Sequence, residues 1–191
     1  MIAVEDTVLV LLAAGLSQRF GDAPKLHQPL LNRPLGMHAA VTLAALPFRE
    51  QVAVVDDDPL SYDTLGFRMI ANPDPAQGMA SSLRLGVAHA KAQGASAVLV
   101  ALADMPCVTA THVLRLFDAA TGPDTVVASS DGHAATPPAL FGRGRFEALL
   151  ALEGENGARD LIRAGRHVVT DAADLVDVDT PAELARLRGM V

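Results

Sequence analysis

Two cations, Arg19 and Lys25, follow the small residues Ala13-Ala14-Gly15 at the end of the apolar run TVLVLL over residues 7–12. That order of residue types suits a polyphosphate. Little side chain stands between backbone and ligand there, Gly15 is free to take φ > 0, and amide N–H groups can donate to an anion while two fixed charges balance it. Gly15 and Gly21 fit neither the GxxxxGK[ST] loop nor the dinucleotide GxGxxG. The stretch therefore reads as a phosphate cradle of another kind, with a plain Gly-rich turn as the structural alternative.

Carboxylates supply the second kind of chemistry. In ALADMP, residues 101–106, Asp104 stands just past an apolar run, where it can hold Mg²⁺, an ion that prefers oxygen ligands and keeps substrate phosphates in its shell. It can equally cap the following turn. In DLVDVDTPAEL, residues 174–184, Asp177 and Asp179 share a side if the segment is extended. A third stretch, NPDPAQGMASSLRLGV over 72–87, runs from Asn72 as a loop and turns into a helix, with Gly78 before it and Ser81 and Ser82 in its first turn. Free amides and hydroxyls at that end can meet ribose, base or phosphate oxygens, or simply start a helix.

These residues need a scaffold that delivers them to one place. Apolar runs recur at 7–12, 52–55, 67–70, 97–102 and 125–129, and helical patterns fit 34–46, 79–93 and 109–120, the last opening on Thr109 as N-cap. Continuous apolar runs suit strands covered on both faces. The βαβ rhythm predicts an α/β three-layer sandwich with a mostly parallel, Rossmann-like sheet and ligands at the carboxyl ends of the strands. After Asp131, DGHAATPPALFGRGR has the Gly and Pro content of a loop or edge element. Helices over 144–152 and 156–164, short strands at 167–170 and 175–178, and a terminal helix capped by Thr180-Pro181 complete the expectation.

Composition narrows the classes. A chain of 191 residues fits one domain, 1–191, and although half of it is hydrophobic, its apolar runs are too short to span a bilayer. The start, MIAVEDT, lacks the features of a secretory signal, so a cytoplasmic location with no membrane association is expected. A net charge of -7 argues against a duplex-binding surface and so against nucleic acid as a partner. The single Cys107 can form neither an internal disulfide nor a Cys-based zinc site and reads as a small packed residue. The six His residues form neither HExxH nor any other close ligand pair, and most of them read as surface or capping residues.

LLAAGLSQRFGDAPKL, residues 11–26, resembles the signature loop of the MobA-like nucleotidyltransferases, [AG]xGxSxRMGxxK with variable spacing before the Lys; Phe20 stands where Met is usual. The Ala-Ala-Gly form is closer to the cytidylyltransferase branch, which includes molybdenum cofactor cytidylyltransferase, than to the Ala-Gly-Gly guanylyltransferase branch. Residues 78–86 are similar to GMSSSLRxG of the cytidylyltransferases, ALADMP to the L-x-D-x-P metal motif, DVDTPAEL to D-x-D-T-P-E-D-L, and EGENGARDLI to GDxGAR. ADMP is nearer the guanylyl branch than GDQP, and ATPPALF replaces the usual GHPVLF, with His133 near the missing His. The motifs keep the family's order from Leu11 to Leu184.

The resemblance implies a fold of the nucleotide-diphospho-sugar transferase type. It assigns Leu12, Ala13, Ala14, Gly15 and Leu16 to nucleotide contact, Arg19 and Lys25 to the phosphates, and Asn72, Gly78, Ser81 and Ser82 to base and ribose. Asp104 and Asp179 would hold Mg²⁺, Asp179 being preferred to Asp177 as the family's second acidic position, while His133 and Arg159 would face the acceptor. Arg159 has a helix-surface salt bridge as its alternative. The implied reaction moves CMP from CTP onto a phosphate of a small acceptor, the pterin of molybdenum cofactor, releasing pyrophosphate; an apo-molybdoenzyme or its chaperone is the implied protein partner. GTP as donor, a sugar or polyol phosphate as acceptor, a nicotinamide- or flavin-binding redox protein, and a non-catalytic pterin-delivery module stay open as alternatives.

Overall fold

The computed structural model describes residues 1–15, 20, 23–57, 59–154 and 158–190. In chain order these hold strands β1 (Thr7–Ala13), β2 (Pro29–Leu30), β3 (Arg33–Pro34), β4 (Glu50–Val55), β5 (Arg68–Ala71), β6 (Ala97–Leu102), β7 (Val126–Ser130), β8 (Ala135–Gly142) and β9 (Arg166–Val169). The α-helices are α1 (Leu35–Ala44), α2 (Met79–Ala92), α3 (Ala110–Asp118), α4 (Phe146–Leu150), α5 (Arg159–Ala164) and α6 (Pro181–Arg188). Among the described residues, seven strands form one sheet in the order β5-β4-β1-β6-β8-β7-β9. Only β8 runs against its neighbours. β2 and β3 form a separate small hairpin.

Every residue of β1 is buried, and the strand's period of two divides them between two cores. Leu9, Leu11 and Ala13 pack with α1 and α3, whereas Val8, Val10 and Leu12 pack with α2, α4 and α5. Two apolar faces make the strand uninterruptedly hydrophobic and produce three layers, at about 1.5–3 kcal/mol for each large side chain removed from water. Gly86 lets α2 press onto the sheet: a Cβ there would lie 2.3 Å from Val10 Cγ1. That close approach seats the middle of α2 against the middle of β1.

The expected strands and helices form, with two differences. Residues 131–145 supply β8, a central strand between β6 and β7, where a loop or edge element was expected. Ala139, Leu140 and Phe141 are buried and carry the pairing with β6. The cis-linked Pro137-Pro138 falls where the β7–β8 register shifts between Ala128 and Ser129, so the missing N–H groups coincide with an interruption of the ladder. Residues 175–178 form no strand: a short 3-10 turn, Ala172–Leu175, leads into an extended tail. His112 is a core residue, 1% exposed, with Nε2 2.8 Å from Ser129 Oγ, and so stands apart from the surface and capping positions read for most of the histidines. Burial, then the charge of Arg115, lowers its pKa.

Candidate active site

The site begins where β1 and β6 end side by side. Ala103 N donates to Leu12 O at 3.0 Å, extending the ladder one step, and Asp104 follows. Val178 N then donates to Asp104 O at 3.1 Å and brings the C-terminal tail onto this edge. Val178 is fully buried against Phe20, Leu30, Leu35, Leu184 and Leu187. In an extended segment the neighbours of an inward residue point the other way, so Asp177 and Asp179 turn together toward Asp104. One carboxylate oxygen from each of the three lies within 4.8 Å of the others.

Asp179 is also fixed from below. The Asp179 and Thr180 amides both donate to Glu183 Oε2 at 2.8 Å, and Glu183 N donates to Thr180 Oγ1 at 3.2 Å. This capping box starts α6, and the Asp179 and Thr180 hydrogen bonds hold the Glu183 carboxyl below the usual range. Sequence reasoning named the Thr180-Pro181 cap and missed Glu183, although T-x-x-E is itself the signature of such a box.

Lys25 enters from the other side, in the short turn Lys25–His27 after Pro24. It is 7% exposed, and its Nζ donates to Asp104 Oδ2 at 2.6 Å and to Asp179 Oδ1 at 3.2 Å. Burial by itself would lower the ammonium's pKa; the charge and hydrogen bond of Asp104, then Asp179 and Asp177, outweigh it and raise the value. Asp177 responds in the opposite sense to its own neighbours. Although the residue as a whole is exposed, desolvation of its carboxyl and the charges of Asp104 and Asp179 push it up to about 7.

A divalent cation fits this donor set. Asp104 Oδ1 is buried and has no hydrogen-bond partner among the described residues. An orphaned carboxylate oxygen with two further carboxylates in reach is the oxygen-rich, negatively charged environment that Mg²⁺ or Mn²⁺ prefers.

Leu12, Ala13 and Ala14 are buried at the strand's end and Gly15 is exposed. A Cβ on Gly15 would meet nothing within 4 Å, and its φ is outside the left-handed region, so open space rather than special backbone freedom distinguishes this position. Leu16 and Arg19 lie outside the described residues. Asn72, Ser81 and Ser82 are buried together: Asn72 Nδ2 donates to Ser81 Oγ at 2.8 Å and to Ser82 Oγ at 2.9 Å, and Ser81 Oγ donates to Gly78 O at 2.8 Å. Gly78 takes φ +86° at the N-cap of α2, a conformation only glycine adopts without strain.

A cavity of 290 Å³ opens beside this network, lined in part by Asn72, Asp74, Gln77, Ser81, Arg84 and Leu150. Arg84 donates to Gln77 Oε1 and to Leu152 O, and so ties α2 to the segment after α4. His133 and Arg159 are exposed and do not join the carboxylate cluster. Cys107 is half-buried against the Val178 cluster, and burial raises its thiol pKa, as expected of a packing residue.

Residues 9–170 match the family model of the MobA-like NTP transferase domain. The chain belongs to this family. It is 30% identical to the purine catabolism protein PucB of Bacillus subtilis, over 94% of each chain. It is 29% identical to the nicotine blue oxidoreductase of Paenarthrobacter nicotinovorans, over 93% of this chain and 94% of that one. Among solved structures, the manganese complex of Rv0371c from Mycobacterium tuberculosis superposes with a TM-score of 0.73 at 25% identity, covering 97% of this chain and 99% of that one. The MobA-like resemblance and the α/β sandwich expected from the βαβ rhythm are thus both borne out. No helix among the described residues is long and apolar enough to cross a membrane.

Proposed function

We propose that this MobA-like transferase, acting as one domain over 1–191, moves CMP from CTP onto a phosphate of a small acceptor, a pterin of the molybdenum cofactor type, and releases pyrophosphate. The observation that carries the reading is the meeting of Lys25 with Asp104, Asp177 and Asp179 at the carboxyl edge, where β1 and β6 end. An acceptor phosphate oxygen forms the new bond to the α-phosphorus as the bond to the pyrophosphate oxygen breaks. No protein nucleophile is needed, and catalysis is alignment and charge balance.

In this reading the amides of residues 12–16 and the charges of Arg19 and Lys25 take the leaving pyrophosphate, Arg19 being assigned from the sequence motif alone. Asn72, Gly78, Ser81 and Ser82 form the ready-made polar wall for base and ribose, adjoining the 290 Å³ cavity. Asp104 and Asp179, with Asp177 at hand, would hold Mg²⁺, which when bound supplies Lewis-acid polarisation of the phosphates. His133 and Arg159 would meet the acceptor from their exposed positions. The choice of CTP rests on the Ala13-Ala14-Gly15 form of the loop. A cytoplasmic location and delivery of the product to an apo-molybdoenzyme or its chaperone complete the proposal.

Pyrophosphate release with Mg²⁺ and a phosphorylated pterin, CTP against GTP, tests it. Turnover with CTP is expected; turnover with GTP alone overturns the base, and none with either overturns the reaction. A redox reading keeps one support, the similarity to an enzyme named an oxidoreductase. A flavin or nicotinamide absorbance retained by the purified protein would favour it.

A further inference from the structure

We propose that Lys25 is a built-in rival of the divalent ion: its ammonium holds Asp104 and Asp179 until the phosphates of a bound triphosphate draw it away, so that metal and nucleotide load together. The inference rests on the nucleotidyltransferase reading and adds an order of binding to it. The Lys25 side chain is only 9% exposed, and its Nζ reaches Asp104 Oδ2 at 2.6 Å and Asp179 Oδ1 at 3.2 Å. A cation approaching those oxygens meets a like charge at contact distance.

The arrangement also explains how three carboxylates stay within 4.8 Å of one another before any ligand arrives. One ammonium offsets part of their repulsion. Asp104 Oδ1, buried and without a partner among the described residues, offers an ion a first foothold. The other oxygen of that carboxylate and one oxygen of Asp179 remain engaged by Lys25. Lysine suits this exchange, being a point charge on a flexible four-carbon stem that can pivot from carboxylate to phosphate.

The consequences have opposite signs. Deleting the ammonium strengthens metal binding without nucleotide and weakens the help that nucleotide gives to metal. A lysine serving only as a phosphate ligand would leave metal-alone affinity unchanged, and one serving only the fold would weaken both.

Mn²⁺ titrations followed by the paramagnetic resonance of the free ion, on wild type, Lys25→Met and Lys25→Arg, separate these cases. Each protein is measured alone and with the α,β-methylene analogues of CTP and GTP. Lys25→Met is expected to bind Mn²⁺ alone about tenfold or more tighter than wild type, with Lys25→Arg staying near wild type. An analogue is expected to raise wild-type affinity about tenfold or more and that of Lys25→Met by much less. Circular dichroism confirms the fold, and Lys25→Gln serves as a second neutral variant should the Met variant misfold. If the neutral variants bind Mn²⁺ alone no more tightly than wild type while an analogue still promotes wild-type binding, the rivalry is overturned and the transferase reading stands. If wild type takes up neither Mn²⁺ nor analogue, the reading fails and the rivalry with it.

Discussion

The two ends of the sheet solve opposite electrostatic problems. At the amino end, Glu50 of β4 lies between Arg68 of β5 at 2.6 Å and His89 of α2 at 2.8 Å. Burial alone would raise its carboxyl pKa, but hydrogen bonds from Arg68 and His89 outweigh that and hold it below the usual range. One carboxylate is shared by two bases. At the carboxyl end the ratio is inverted, with three carboxylates around one ammonium and the Asp177 carboxyl driven up to about 7. A balanced cluster clips elements together; a surplus of like charge opposes folding and persists where a ligand will compensate it. The difference supports the proposed site at the carboxyl end without any appeal to the motifs.

The largest expected effect lies at the carboxyl end. Asp104→Asn should lower nucleotidyl transfer by about 100-fold or more while leaving the circular dichroism spectrum unchanged. Glu50→Gln should leave turnover at the wild-type level in the same pyrophosphate assay, and a comparable loss there would erase the contrast.

A second test uses pH. In metal-free protein the folded value for Asp177, about 7, exceeds its ordinary 3.8, so the native state keeps a proton that the unfolded chain has lost. That contribution to stability is complete below 3.8 and disappears as pH rises through about 7. Glu50 acts in reverse: with a folded value below 4.5, its contribution is present above 4.5 and is lost as pH falls through the folded value. Thermal melts in a chelating buffer between roughly pH 2 and 8 should show Asp177→Asn flattening the decline toward neutral pH and Glu50→Gln flattening the acid side. Identical profiles for the two variants would remove the distinction.

Smaller effects follow from the supports of each region. Thr180→Ala should cost about 1 kcal/mol, a Tm loss of about 2–4 °C, because the capping box under Asp179 loses its hydroxyl. It should also weaken Mn²⁺ binding, which calorimetry would reveal. Glu50→Gln should cost less than about 1 kcal/mol, since Arg68 is largely solvated. A larger loss in its melt than in that of Thr180→Ala would reverse the ranking.

Much of this was legible in the chain. Uninterrupted apolar runs such as TVLVLL announce strands covered on both faces, and all five runs named for that reason are strands of the sheet. Asp177 and Asp179, two residues apart, were expected to share a side, and they do. β8 was hidden because Pro137 and Pro138 mimic a loop; a strand that tolerates them needs a register shift in its neighbour, which local sequence does not display. The tail over 175–178 misled in the other direction, since its apolar residues serve as buried anchors, Leu175 in the main core and Val178 against α6, rather than as a ladder. Which histidine would be buried could not be read locally, because the polar side chain of His112 in the core depends on a partner 17 residues away, Ser129.

By itself the sequence determined the types of element, their order and the identity of the charged groups, because periodicity and residue chemistry are local properties. Only the tertiary structure decided that Lys25 meets Asp104 and Asp179 across 79 and 154 residues of chain. That meeting follows from strand order and from Val178 docking onto the end of β6, and packing between distant segments leaves no periodic mark in the residues that will touch.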